Sequence, residues 1–140
     1  MWGCRPRNRG KDMRVVTVLL FVLSAVAHAA PTRGEYVTRI IDGDTVELSG
    51  GERLRLVGVQ TPERGEVRYY KAGLYLAHLT LRREIRVVRF GQDRYKRTLA
   101  VLWLNDRQVN ATMRKRYKSK QYDKLLTKEM RVELVKGGWK

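Results

Sequence analysis

From residue 35 onward apolar and polar side chains alternate with a period of two in "EYVTRII" (35–41), "TVEL" (45–48) and "RLRLVGV" (53–59), the pattern of strands half-buried against a core. Ser49-Gly50-Gly51, between the second and third runs, reads as a hairpin turn. In the third run Leu54, Leu56 and Gly58 fall on one face, and Arg53, Arg55, Val57 and Val59 on the other. An arginine among valines either snorkels to water or serves a function. After "QTPERGE" the period lengthens. Tyr70, Gly73, Leu74, Ala77 and Leu81 recur at the spacing of one helical face, with His78 beside the stripe as a helix-surface or core-edge residue. Two more strands, "EIRVVRF" (84–90) and "TLAVLWL" (98–104), flank the polar loop "GQDRYKR". Beyond the turn "NDRQ", Asn110 stands where it could cap a helix. Asn110-Ala111-Thr112 also fits the N-glycosylation pattern, a short motif that arises often by chance.

Five strands with one helix between the third and fourth predict an α+β fold, a small five-stranded β-barrel of the oligonucleotide-binding type with helices packed on it. A chain of 140 residues has room for one such core. The expected organisation is a signal peptide over 1–29, a barrel over 34–113 and a basic C-terminal segment over 114–140.

The first of these rests on order: five basic residues between Arg5 and Arg14, then a thirteen-residue apolar run over 15–27, then "HAA", with cleavage after Ala29. Such a run is shorter than the roughly 20 residues a membrane span needs. Met13 is an alternative start. Export places the product outside the cell or in the periplasm, with no stable membrane association once the signal is gone. The single cysteine, Cys4, lies in the removed part, so neither disulfides nor thiol chemistry enter the mature protein.

Formal charge changes the picture of partners. The whole chain carries +16, and removal of 1–29 leaves 25 basic and 13 acidic residues, or +12. That excess favours a polyanion such as nucleic acid, bound through its phosphates. Residues 114–140 hold ten basic and three acidic residues, densest in "RKRYKSK", and read as a solvated helix face or tail.

Polar residues at strand ends then suggest chemistry. Asp42 and Asp44 lie at the mouth of the second strand, Arg55 on the third, Glu63 in "QTPE", and Arg97 before the fifth strand. Each alone has a dull explanation as a turn former or a surface charge. Together they are the ingredients of phosphodiester hydrolysis. A hard divalent cation takes oxygen ligands such as the Asp44 carboxylate and a carbonyl of the "TP" turn, and polarises the phosphate. Glu63 suits a general base or water-orienting group. Arg55 and Arg97 suit the phosphate oxygens, which a planar guanidinium meets two at a time.

"IIDGDTVEL", "RLRLVGVQTPE", "DRYKRTLAVLWL" and "VN", in this order and spacing over roughly residues 36–113, resemble the staphylococcal nuclease (thermonuclease) family. The resemblance implies a five-stranded barrel and a secreted, calcium-dependent endonuclease that cleaves DNA and RNA at the bond to the 5′ oxygen, leaving 3′-phosphate ends. It assigns Asp44 as a calcium ligand with Asp42 the acid beside it, and Thr61 as a backbone carbonyl ligand. It assigns Arg55, Glu63 and Arg97 as the catalytic set, and Tyr95 as the tyrosine beside the nucleotide; Arg94 and Lys96, its neighbours in the basic loop, are taken as further substrate-binding candidates. Three positions depart from the family pattern. Gln60 replaces a metal-ligating aspartate, leaving an uncharged amide oxygen and a weaker cation site. Lys96 replaces a glycine, which moves the loop or adds a phosphate contact. After "VN" either about twenty residues are inserted before "LVKGGWK" (134–140) or the closing helices are lost, and in the second case one face of the barrel stays exposed. Two other readings stay open: a nucleic-acid-binding barrel with weakened catalysis, and a membrane-held polybasic protein if the signal is not cleaved.

Overall fold

Period-two alternation becomes strands where expected. The computed structural model describes residues 34–117 and 122–139; the expected signal peptide, its cleavage position and residues 118–121 of the basic stretch lie outside the described residues. Strands β1 (Glu35–Ile40), β2 (Thr45–Leu48) and β3 (Arg53–Leu56) are followed by helix α1 (Tyr69–Thr80), then by β4 (Glu84–Gln92), β5 (Thr98–Leu104) and β6 (Arg107–Gln108). Helix α2 (Val109–Arg116), a 3-10 turn (Tyr122–Leu125) and helix α3 (Lys128–Lys136) complete the described chain. The architecture is α+β. Its six strands lie in the order β3-β2-β1-β4-β5-β6 with antiparallel neighbours, and β3 pairs in addition with β5, in parallel, through Leu54–Thr98, Arg55–Leu99 and Leu56–Ala100. Each of β1 to β5 therefore has a paired strand on both sides, which removes the exposed edges that invite association.

The sixth strand was not expected. Arg107 and Gln108 pair with Leu104 and Trp103 across a tight turn in which Asn105 takes a φ of 53°. Two residues carry no periodicity, so nothing in the alternation marks them.

Apolar residues segregate into two clusters on either side of the sheet. Val37, Val46, Leu54, Leu56, Leu102 and Ala100 pack with Leu76 of α1 and Met113 of α2, while Val57, Val101 and Trp103 pack with Met130 and Leu134 of α3. β5 is thus covered on both faces, which is why "AVLW" is a continuous apolar run rather than an alternating one.

Helix α1 buries a different stripe from the one its large apolar residues suggest. Ala72, Leu76, Leu79 and Thr80 face the core, whereas Tyr70 is 79% and Leu74 69% exposed. Both stripes have helical spacing, so periodicity alone did not choose between them. Thr80 can be buried because its hydroxyl donates to the Leu76 carbonyl one turn back (2.9 Å).

Asn110 is not a cap. Gln108 holds that position, and Asn110 lies inside α2, 1% exposed. Its amide oxygen accepts from Leu102 N (2.9 Å), and its nitrogen donates to the carbonyls of Val57 (2.8 Å) and Ala100 (3.0 Å). That arrangement fastens α2 to β5 and to the chain leaving β3, and it closes the glycosylation pattern in the folded protein.

The C-terminal segment covers the sheet face that a chain without closing helices would expose. The Thr127 side chain caps α3 by accepting from Met130 N (3.3 Å), and Leu134 rests on Gly58, whose φ of 73° and lack of a Cβ leave it the space. Arg114 ties the same segment to α2. Its guanidinium holds the Asp123 carboxylate with two bonds (2.7 and 2.8 Å), donates to the Gly58 carbonyl (3.0 Å) and lies 4.4 Å from the centre of the Trp139 ring. Among the described residues no helix is long and apolar enough to cross a membrane.

Asn110→Ala takes the Asn110 partner from the buried Leu102 N–H and Val57 carbonyl, while the Ala100 carbonyl still accepts from Val57 N (2.9 Å), so we expect it to lower unfolding free energy by about 3 kcal/mol. Urea denaturation monitored by tryptophan fluorescence measures this. A loss under about 0.5 kcal/mol would mean that the three bonds do not staple α2 to the sheet.

Candidate active site

Between β1 and β2 the chain reverses through Asp42-Gly43-Asp44. The N–H groups of Ile41 and Asp42 donate to Thr45 O (3.0 and 3.4 Å), and Asp42 Oδ1 accepts from Asp44 N (3.0 Å), a side chain closing its own turn. A Cβ at Gly43 would come within 2.6 Å of Ala72 Cβ and Thr61 Oγ1, so only glycine lets α1 and the loop after β3 pack onto the turn.

Asp44, 6% exposed, is the centre of the site. Its Oδ2 accepts from both the backbone N–H and the hydroxyl of Thr61 (3.1 Å each) and pairs with Arg55 Nη2 (3.1 Å), while Oδ1 accepts from Thr45 Oγ1 (3.3 Å). Arg55 does not snorkel: it is 4% exposed, and its Nη1 donates to the carbonyls of Leu56 and Val59 (2.8 Å each) and its Nη2 to Gln60 Oε1 (3.3 Å). A guanidinium can be buried there because its charge is paired and its donors are satisfied. Burial nevertheless pushes the Asp44 carboxyl up from 3.8 to about 6; the Arg55 charge and the Thr61 N–H pull it down, and Asp42 adds to the rise.

The second guanidinium is set by the loop before β5. Asp93 accepts from the N–H groups of Tyr95 (2.8 Å) and Arg97 (3.0 Å) and from Arg97 Nε (2.8 Å), and Arg97 Nη1 donates to Thr45 Oγ1 (3.3 Å). Burial works to raise the Asp93 carboxyl, but these bonds and the Arg97 charge hold it below its usual value. Lys96 takes a φ of 60° in this loop, a left-handed conformation that glycine adopts without strain, so a lysine preserves the turn at a cost of about 1 kcal/mol. Tyr95 is exposed, with the guanidinium carbons of Arg94 and Arg97 4.8 and 5.3 Å from its ring centre.

These pieces meet in one cavity of about 590 Å³. Of the residues expected from the sequence, Asp42, Asp44, Arg55, Gln60, Thr61, Glu63, Arg94, Tyr95 and Arg97 line it; Lys96 does not, and is exposed outside it. Glu63 is exposed at its edge, and among the described residues its carboxylate has no hydrogen-bond or ion-pair partner. Thr61 meets Asp44 through its N–H and hydroxyl, a role the expected carbonyl ligation did not include. Tyr69, Asp93 and Leu125 also line the cavity and were not anticipated. Asp93 had a signal, an acid four residues before Arg97 in a polar loop. Tyr69 and Leu125 had none, because only the packing of α1 and the 3-10 turn brings them there.

The donors around Asp44 suit a hard cation. They are all oxygens, and burial together with the second acid outweighs the Arg55 charge and raises the Asp44 carboxyl, which a further positive charge would help to keep ionised. Among the described residues no three His, Cys, Asp or Glu side chains gather to hold a metal.

A family model described as staphylococcal nuclease homologue matches residues 53–136, from the start of β3 to the end of α3. The chain is 37% identical over 94 residues to a micrococcal nuclease of Shigella flexneri, covering 65% of this chain and 53% of that one. It is 40% identical over 96 residues to a thermonuclease of Staphylococcus intermedius, covering 59% and 57%. To an uncharacterized endonuclease of Haemophilus influenzae it is 30% identical over 139 residues, covering 93% and 77%. The chain belongs to the staphylococcal nuclease family. It spans 53% of the length of the Shigella flexneri relative and 57% of the Staphylococcus intermedius one.

Asp42→Asn removes a neighbouring negative charge, so the Asp44 titration midpoint in metal-free protein should fall below 6. Carboxyl-carbon NMR across pH 3 to 8 reads it, and an unmoved midpoint would show that the two acids do not share one field. Because the folded value lies above the unfolded one, the contribution of Asp44 to stability is fully present below about pH 4 and is lost as pH rises through 6.

Proposed function

We propose that the protein is an exported endonuclease, secreted or periplasmic, that hydrolyses phosphodiester bonds of DNA and RNA with the help of a calcium ion and leaves 3′-phosphate ends. The observation that carries this reading is convergence: Asp44, Arg55, Glu63 and Arg97 come from four separate segments and line one cavity. The strand pairings, which pass from β1 through β2, β3, β5 and β4 back to β1, support an oligonucleotide-binding barrel as the frame. A charge of +12 after removal of residues 1–29 supports a polyanionic substrate.

Asp44, Asp42, the Gln60 amide oxygen and the Thr61 carbonyl would hold the ion, which when bound supplies a Lewis acid that polarises the phosphate. The rest is done by this chain's own groups. Glu63, whose carboxylate is not engaged elsewhere in the described protein, takes a proton from the attacking water as its oxygen approaches phosphorus and the bond to the 5′ oxygen breaks. Arg97, fixed along one edge by Asp93, offers N–H groups to the phosphate oxygens as their charge grows. Arg55, held from behind by two carbonyls, keeps a positive charge beside the same oxygens.

A second reading, a nucleic-acid-binding barrel with little turnover, is favoured by Gln60, whose amide oxygen accepts from Arg55 and brings no charge to the cation. Variants separate the two. Glu63→Gln and Arg97→Ala should each reduce kcat by about 100-fold or more while largely preserving nucleic-acid affinity; unchanged rates remove the mechanism.

Gln60→Asp should lower the calcium concentration for half-maximal cleavage. In the unaltered protein that concentration should climb about fivefold between pH 6 and pH 5, since a proton competes for Asp44. Kinetic titrations at pH 5, 6 and 7 test both points, and a calcium requirement indifferent to pH would remove Asp44 from the ligand set.

A further inference from the structure

A second cavity, of about 570 Å³, opens where α1 ends and the β5–β6 turn meets α2. Its floor is apolar: Leu79 and Val109 are buried and Leu104 is half-buried. Its rim carries His78, Arg83 and Arg107 against a single acid, Asp106. Among the described residues none of these four side chains makes a hydrogen bond or an ion pair, in contrast to Arg55 and Arg97, which are bound to protein partners. A ligand meeting Arg83 and Arg107 therefore breaks no internal pair.

The cavity is remote from the candidate active site. Arg97 precedes the first residue of β5 and the β5–β6 turn follows the last, so seven extended residues separate them, about 20 Å at roughly 3.3 Å per residue. The two cavities share no lining residue. Pairing of Leu104 with Arg107 across the turn fixes where Asp106 and Arg107 stand relative to the floor.

The chemistry of the lining selects a ligand class. Two guanidiniums and an imidazole beside one carboxylate favour an anion, and the planar forks match phosphate oxygens. An apolar floor accepts a flat, weakly polar body. Asp106 accepts from hydroxyl or amine groups, and the Asn105 amide both donates and accepts. Phosphate, flat ring and hydroxyls or amine on one molecule describe a nucleotide. We propose that this cavity is a nucleotide-binding site distinct from the candidate active site. Its occupant is either a free nucleoside monophosphate or one nucleotide of a nucleic-acid strand lying over the surface, and the chemistry recognised is the same. The proposal shares no residue with the nuclease reading and does not depend on it.

Isotope-labelled full-length protein, titrated in chelator with adenosine monophosphate and separately with a short oligoadenylate, reports occupancy through the amide signals of Asn105, Asp106 and Arg107. We expect saturable shifts there. Arg83→Ala and Arg107→Ala should each weaken binding about tenfold, the loss of one charge-assisted hydrogen bond, without altering shifts at Thr61 or Tyr95. Both side chains are exposed and unpaired, so the variants should fold. Saturation by adenosine monophosphate identifies a free nucleotide as sufficient, and saturation by the oligoadenylate alone identifies a strand. No saturable shift with either probe, or an affinity indifferent to both substitutions, overturns the proposal.

Discussion

Asp44 and Arg55 form a pair of opposite charges held almost wholly out of water, and the arrangement of the site follows from what that requires. Two buried charges are tolerated only when their remaining donors and acceptors are satisfied. Thr61 serves the carboxylate twice, and the carbonyls of Leu56 and Val59, with the Gln60 amide, serve the guanidinium. Those partners lie on the chain leaving β3, so the pair fixes that segment against β2 and aims the loop that carries Glu63. Removing one member would leave the other charged and buried, at a cost of about 3–5 kcal/mol. The same burial raises the Asp44 carboxyl to about 6, so the constraint that holds the pair also sets the charge state of the acid proposed to meet a cation.

Much of this was legible before any coordinates. The β2–β3 hairpin was visible because period-two alternation and a Gly-Gly turn are local signals. The cavity residues were visible because acids and arginines at strand ends are chemically odd in that setting, and because their order resembles a nuclease family. Partner choice was not visible. Nothing local says that Arg55 turns inward to two carbonyls, that Asn110 faces β5 instead of capping α2, or that α1 buries Ala72 and Leu76 in preference to Tyr70 and Leu74. Each of these is decided by an element distant in sequence. The two-residue β6 and the cover supplied by α3 escaped for a related reason: the first is too short for a period, and the second depends on Gly58 and Trp139 meeting Leu134 and Arg114 across the fold.

Substitutions relative to the family pattern look different once placed. Lys96 keeps the left-handed turn that a glycine would take, and it leaves Asp93 and Arg97 joined; the loop is preserved and the lysine is exposed and does not line the cavity. Gln60 is a chemical change of another kind. It remains in the cavity and still engages Arg55, but it subtracts a negative charge from the place where a cation would sit. Any weakening of the cation site should therefore originate at residue 60 and not in a distorted sheet.

In the proposed mechanism an oxygen-bound cation and two guanidiniums act on one phosphodiester. Digestion of plasmid DNA and of RNA by purified protein, in calcium and in excess chelator, meets it most directly. Both substrates should be lost in calcium, with 3′-phosphate ends, and stay intact in chelator. Nucleic acid that is retarded on a gel yet uncut in calcium, or cut equally well in chelator, would contradict that mechanism.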